Sequence, residues 1–129
     1  MTSAGEAYSA VRSEAGRAWL AAGAWMLVIL LVSTVPMAEN PLPDTPLGVD
    51  RWGHGAFYAI LGYLLARASR RSDLAVPASL VAGVVGSAAF GGSVEGLQAV
   101  LSRDPDLGDW IADAAGAIVG VAAWWRIGR

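Results

Sequence analysis

The chain has 129 residues, 55% hydrophobic and 16% charged, with a mean hydropathy of +0.48. Soluble domains run at about 45–50% apolar and about 25% charged, so this composition excludes a disordered chain and points to a small integral membrane protein. Nine arginines, no lysine, eleven acids and one histidine leave a net charge of −2, which excludes the basic footprint of a nucleic-acid binder. Cysteine is absent, which excludes a disulfide framework and a thiolate metal site. The length predicts a single domain, residues 1–129.

Gaps between charges predict the spans. Residues 18–38 form an uncharged run of 21 between Arg17 and Glu39. A bilayer core about 30 Å thick needs about 20 helical residues, so this run is long enough to cross. It exceeds the apolar stretch of a signal peptide (about 7–15 residues), and Pro36-Met37-Ala38 is a poor cleavage site, so a retained anchor is expected. Ser3 and Glu6 have the spacing of a capping box for a short helix before it. Residues 40–48 then read as a proline-stiffened loop.

The second span is expected at 50–67, and it opens on polar residues. The third is expected at 74–98, around a second uncharged run of 21 residues, 74–94. Pro77 falls in its first turn, where a missing N–H costs nothing. The fourth is expected at 109–125. The second and fourth reach only about 25 Å at 1.5 Å per residue, short for a bilayer. Arg12, Arg17, Arg67, Arg70, Arg71, Arg126 and Arg129 lie in the N-terminal tail, the middle loop and the C-terminus. Only Arg51 and Arg103 fall on the other side. The positive-inside rule then predicts four transmembrane helices in the inner (plasma) membrane with both termini cytoplasmic.

This topology gathers the polar residues at the outer helix ends. Asp50, Arg51 and His54 open the second helix, and Glu95 and Gln98 close the third. Arg103, Asp104, Asp106 and Asp109 fill the short outer loop, and Asp113 lies one turn into the fourth helix. Ionisable groups within spans are costly and usually face the bundle interior. Capping would account for Asp50 and Asp109 without function, and a solvated loop for Asp104 and Asp106. Against that reading, Asp50, Arg51, His54, Glu95, Gln98, Arg103, Asp106, Asp109 and Asp113 are the candidate ligand-binding residues. Glu95 is different, because it sits near a helix C-terminus, where the macrodipole disfavours negative charge. It calls for a cationic or protonated partner, with Arg103, Arg51 and His54 as candidates. Asp113 is expected either to be protonated and act as a donor or to be balanced by Arg51 or Arg103. One histidine cannot build a zinc site. The stripes Gly92-x-x-x-Gly96 and Gly116-x-x-x-Gly120 predict close helix packing, and such faces also offer a route to oligomers.

Four segments in order are similar to the VanZ-like family, whose founding member is associated with resistance to the glycopeptide antibiotic teicoplanin. Asp50-Arg51-x-x-His54-x-x-x-Tyr58 resembles the family's Asp-Lys-x-x-His opening of the second helix. Glu95-Gly96-Leu97-Gln98 resembles its Glu-x-x-Gln, and Arg103 through Asp109 its Arg-to-Asp loop. Asp113-x-x-Gly116-x-x-x-Gly120 occupies the place of its Asn-x-x-Gly-x-x-x-Gly. Arg51 replaces the usual lysine with a rigid bidentate fork. Asp113 replaces asparagine, which adds a charge and removes a donor.

Three functions are compatible with these residues. The favoured one is a binding module whose outer polar cleft recognises a membrane lipid head group or a lipid-linked envelope precursor. Arg51 and Arg103 would contact phosphate or carboxylate. Asp50, Glu95, Asp109 and Asp113 would orient them or hold a divalent cation, the one cofactor that the acids suggest. The alternative is an enzyme acting on a lipid-linked substrate through His54 and Glu95, although no nucleophile motif or phosphate-binding loop is present. A third is a structural subunit locked by polar contacts, each worth only about 0.6–2 kcal/mol.

Overall fold

Ser3 and Glu6 cap each other at the start of the first helix. The Ser3 amide donates to Glu6 Oε2 at 2.7 Å, and the Glu6 amide donates to Ser3 Oγ at 3.3 Å. In the computed structural model, which describes residues 3–34, 49–101 and 107–129, this box opens a long helix and not a separate short one. The side chains of Val49 and Asp50 lie outside the described residues, as do Arg103 and Asp106. Helix α1 runs Ala4–Thr34, α2 Val49–Arg71, α3 Val76–Val100 and α4 Leu107–Ala123. A π-helical turn, Trp124–Gly128, extends α4. Among the described residues all regular structure is helical.

Helices α1 and α3, and α4 with its π turn, are long and apolar enough to cross a membrane. The π turn lengthens the fourth element to 22 residues, or about 33 Å, which removes the shortfall expected for a 109–125 span. Helix α2 departs from expectation. Its 23 residues suffice in length, but it is not among the helices apolar enough to cross. It carries Arg51 and His54 near one end and Arg67, Arg70 and Arg71 at the other. The packing supplies the physical reason: α2 touches α1, α3 and α4, so much of its surface meets protein.

The α2–α3 connection is a tight Schellman turn. The Asp73 amide donates to the Arg70 carbonyl at 3.2 Å, and the Leu74 amide to the Ser69 carbonyl at 3.2 Å. Asp73 takes the left-handed conformation this turn requires, with φ 66°, at a position where glycine is usual. Because the turn consumes Leu74, α3 starts at Val76, two residues later than expected, with Pro77 in its first turn. Beside this turn α1 is fastened by Trp19 Nε1 donating to Ser72 Oγ at 2.8 Å and by the Arg71–Glu14 ion pair.

Small residues let the helices touch at backbone distance. A methyl group at Gly116 would lie 2.1 Å from the Gly55 carbonyl oxygen, and one at Gly120 only 1.7 Å from that of Ala59. From α2, a methyl at Gly62 would come within 2.6 Å of the Ala117 carbonyl oxygen. The face that α3 buries is Ser79, Gly83, Ser87, Gly91 and Val94, recurring nearly every fourth residue. Gly92 and Gly96 lie off this face. A methyl at Gly92 would meet only the Trp110 indole at 3.6 Å, and one at Gly96 would meet nothing within 4 Å. The expected packing stripe on α3 is therefore displaced to Gly83 and Gly91. Large apolar side chains such as Leu20, Leu31, Val81, Val85, Ile118 and Val119 point outward, while Ser79, Ser87 and Asp113 are buried. That is the reverse of a soluble helical domain.

Candidate functional site

The N-terminal ends of α2 and α4 meet at one end of the bundle, where the Gly55–Gly116 contact brings their backbones together. One turn further out, His54 on α2 faces Asp113 and Asp109 on α4. His54 Nδ1 lies 3.0 Å from Asp113 Oδ1, and Nε2 lies 3.9 Å from Asp109 Oδ2. Arg51 Nε is 3.8 Å from Asp109 Oδ1, and its side chain is 58% exposed. The acids Asp109 and Asp113 are one turn apart and point to the same imidazole, so the histidine separates two carboxylates that would otherwise repel. The expectation of an arginine opposite Asp113 is corrected by this geometry: the hydrogen-bonding partner is His54, while Arg51 lies beside Asp109.

Asp113 is 1% exposed. Space for it comes from Gly91 on α3, where a methyl would lie 3.1 Å from Asp113 Oδ2 and 3.2 Å from Tyr58 Cε1. Tyr58, buried one turn below His54, lies within electrostatic reach of both Asp113 and Glu95. It was legible from its i, i+4 spacing to His54, whereas Gly91 carried no chemical signal of its own. One turn below Gly91, the hydroxyl of buried Ser87 has no hydrogen-bond partner among the described residues. Gln98 turns away from the cluster and donates to the Ser33 carbonyl at 3.1 Å, tying α3 to the end of α1. On the neighbouring face, Trp110 Nε1 donates to the Ala88 carbonyl at 3.1 Å.

The chemistry follows from these contacts. With Asp113 ionised, His54 Nδ1 carries the proton of this contact, and with Asp113 protonated its hydroxyl donates to Nδ1; in both cases Nε2 is the ring atom turned toward Asp109. Beneath Arg51 and Trp52 runs an apolar groove of about 450 Å³ between α2 and α4, floored by Gly55, Ala59, Gly116 and Val119. The site therefore pairs one arginine, Arg51, which faces Asp109, and an acid–histidine cluster with an apolar trough. Among the described residues no three histidine or acidic side chains are arranged to hold a metal ion. No protein-family model, curated protein or solved structure matches the chain.

Proposed function

We propose that the protein is a four-span membrane protein of VanZ-like type, its His54 cluster outside and both termini in the cytoplasm. It binds there the anionic head group of a membrane lipid or lipid-linked envelope precursor, with an effect on glycopeptide sensitivity. The observation that carries this reading is Arg51 at the rim of the apolar groove, beside the His54–Asp109–Asp113 cluster. A guanidinium fork suits phosphate or carboxylate oxygens, and the trough suits an acyl or polyprenyl chain. The orientation is supported by Arg67, Arg70, Arg71 and Arg129 lining one cleft, built where α2 ends and α4 finishes, at the end away from His54. The family reading rests on the four motifs from Asp50 to Gly120.

The test is the lipid that copurifies with the full chain in nanodiscs drawn from native membranes. A lipid phosphate or polyprenyl-linked species should be retained by the wild type and lost in Arg51→Gln. An empty site, or identical lipids in both proteins, would sink the reading.

A second reading is favoured by one contact, the hydrogen bond between His54 Nδ1 and buried Asp113. A carboxylate that fixes the imidazole and leaves Nε2 outward is the arrangement of a general acid–base. Turnover of a labelled lipid-linked precursor, abolished in His54→Ala, would establish an enzyme in place of a binding module.

A further inference from the structure

At the opposite end of the bundle from His54, a second cleft of about 390 Å³ opens between α1, the end of α2, the start of α3 and the π turn that ends α4. Its charged lining comprises Arg67, Arg70, Arg71 and Arg129 against Glu14 and Asp73, and Trp124 and Val76 supply apolar wall. Glu14 is engaged by Arg71, and the four arginines against two acids leave an excess of two positive charges in the lining. Arg67, Arg70 and Arg71 follow one another at i, i+3 and i, i+4 in the last turns of α2, which aims them to one side of the helix. Arg129 is held in place from α4: its Nε donates to the Trp125 carbonyl at 2.8 Å, and its guanidinium lies 3.4 Å from the centre of the Trp125 ring.

A second feature points to an anion. Helix α3 begins at the cleft with Val76, and its N-cap, Ala75, makes no side-chain hydrogen bond. No acidic residue stands in that first turn itself, and Asp73, in the turn before it, is the acid of this segment that lines the cleft beside the positive end of the 25-residue helix. Arginine forks and a helix N-terminus converging on one polar cleft with an apolar wall match a phosphate group attached to an apolar body.

We infer that this cleft is a phosphate-binding site, distinct from the Arg51 groove, which takes the phosphate of an anionic membrane lipid or of a soluble phosphate ester. Arg67 and Arg70 supply the forks, and both lie on the exposed surface of α2. Arg70 Nη1 also donates to the Leu74 carbonyl at 3.4 Å, a contact that Arg70→Gln removes and Arg67→Gln keeps. Arg71 and Arg129 complete the ring of donors.

The experiment measures binding of short-chain phosphatidylglycerol, phosphatidylcholine and inorganic phosphate to the full chain in detergent micelles. The wild type, Arg67→Gln/Arg70→Gln, Arg51→Gln and Arg17→Gln proteins are compared, with helical circular dichroism recorded for each. The double variant is expected to lose at least about tenfold in affinity for its preferred phosphate ligand, while Arg17→Gln, outside the cleft, stays within about threefold. Should the double variant lose helicity, the single Arg67→Gln protein carries the same comparison. Phosphatidylglycerol binding that inorganic phosphate does not displace identifies a lipid; displacement by inorganic phosphate identifies a soluble ester. Failure of both ligands to bind the wild type overturns the inference, as does undiminished binding by the double variant. Loss confined to Arg51→Gln also overturns it, because all binding would then belong to the Arg51 groove.

Discussion

His54 Nδ1 and Asp113 Oδ1 lie 3.0 Å apart, joining residues 59 positions distant in the chain across the α2–α4 contact. The acid is buried and the imidazole partly open, so the pair forms the inner wall of the candidate site. Asp113→Ala should leave the imidazole N–H without its acceptor, at a cost of about 1–3 kcal/mol if the ring is neutral and about 3–5 kcal/mol if it is charged. Asp113→Asn retains an acceptor oxygen of the same reach and should cost about 1 kcal/mol or less if the ring is neutral, whereas with a charged ring it also removes the counter-charge and should approach the alanine loss. Unfolding of both variants in detergent measures the difference. Equal losses would assign the contribution to packing or to a charged ring and not to a neutral hydrogen bond.

Glycine substitutions should divide by what faces them. A methyl at Gly120 would sit 1.7 Å from the Ala59 carbonyl oxygen, a backbone atom that cannot yield without parting the helices. Gly120→Ala is therefore expected at or above the upper end of the usual overpacking cost of about 1–3 kcal/mol. Gly96→Ala meets nothing within 4 Å and should be neutral or stabilising by up to about 1 kcal/mol. Thermal stability of the two single variants decides the matter, and a Gly120→Ala protein as stable as the parent would contradict the close α2–α4 contact.

The Asp73 turn offers a stabilising change. With φ at 66°, Asp73 occupies a conformation that L side chains adopt at a cost and glycine adopts freely. Asp73→Gly should raise stability by about 0.5–1 kcal/mol, and a β-branched residue there should lower it. A fall in the melting temperature of Asp73→Gly would mean that the carboxylate itself supports the turn.

Topology is tested by reporter fusions. A reporter active only outside the cytoplasm should be active within residues 40–48 and silent after Arg129. The reverse result would place the His54 cluster in the cytoplasm and remove the envelope ligand from the proposal. Equal activity at both positions would mean an odd number of crossings, as expected if α2 does not span.

Local composition determined much of this protein. Runs free of charge, 18–38 and 74–94, are properties of consecutive residues; α1 covers 18–34 of the first, as far as it is described, and α3 covers 76–94 of the second. The reciprocal Ser3–Glu6 cap and the Pro77 start of α3 are likewise local, since a cap or a proline acts within one turn. The partners of the polar residues were not local. Sequence spacing placed Asp109 and Asp113 on one helix face, but which side chain lies opposite depends on how α2 is rotated about its axis against α4. That rotation follows from Gly55, Gly62, Gly116 and Gly120, whose missing side chains allow backbone contact only on those faces. The same contacts turned His54 to Asp113 and set Arg51 beside Asp109. They also bring α2, a helix too polar to face lipid on every side, into contact with α1, α3 and α4. Hydropathy sums over neighbours in sequence, whereas a helix–helix pairing is decided by neighbours in space, and only the folded chain supplies those.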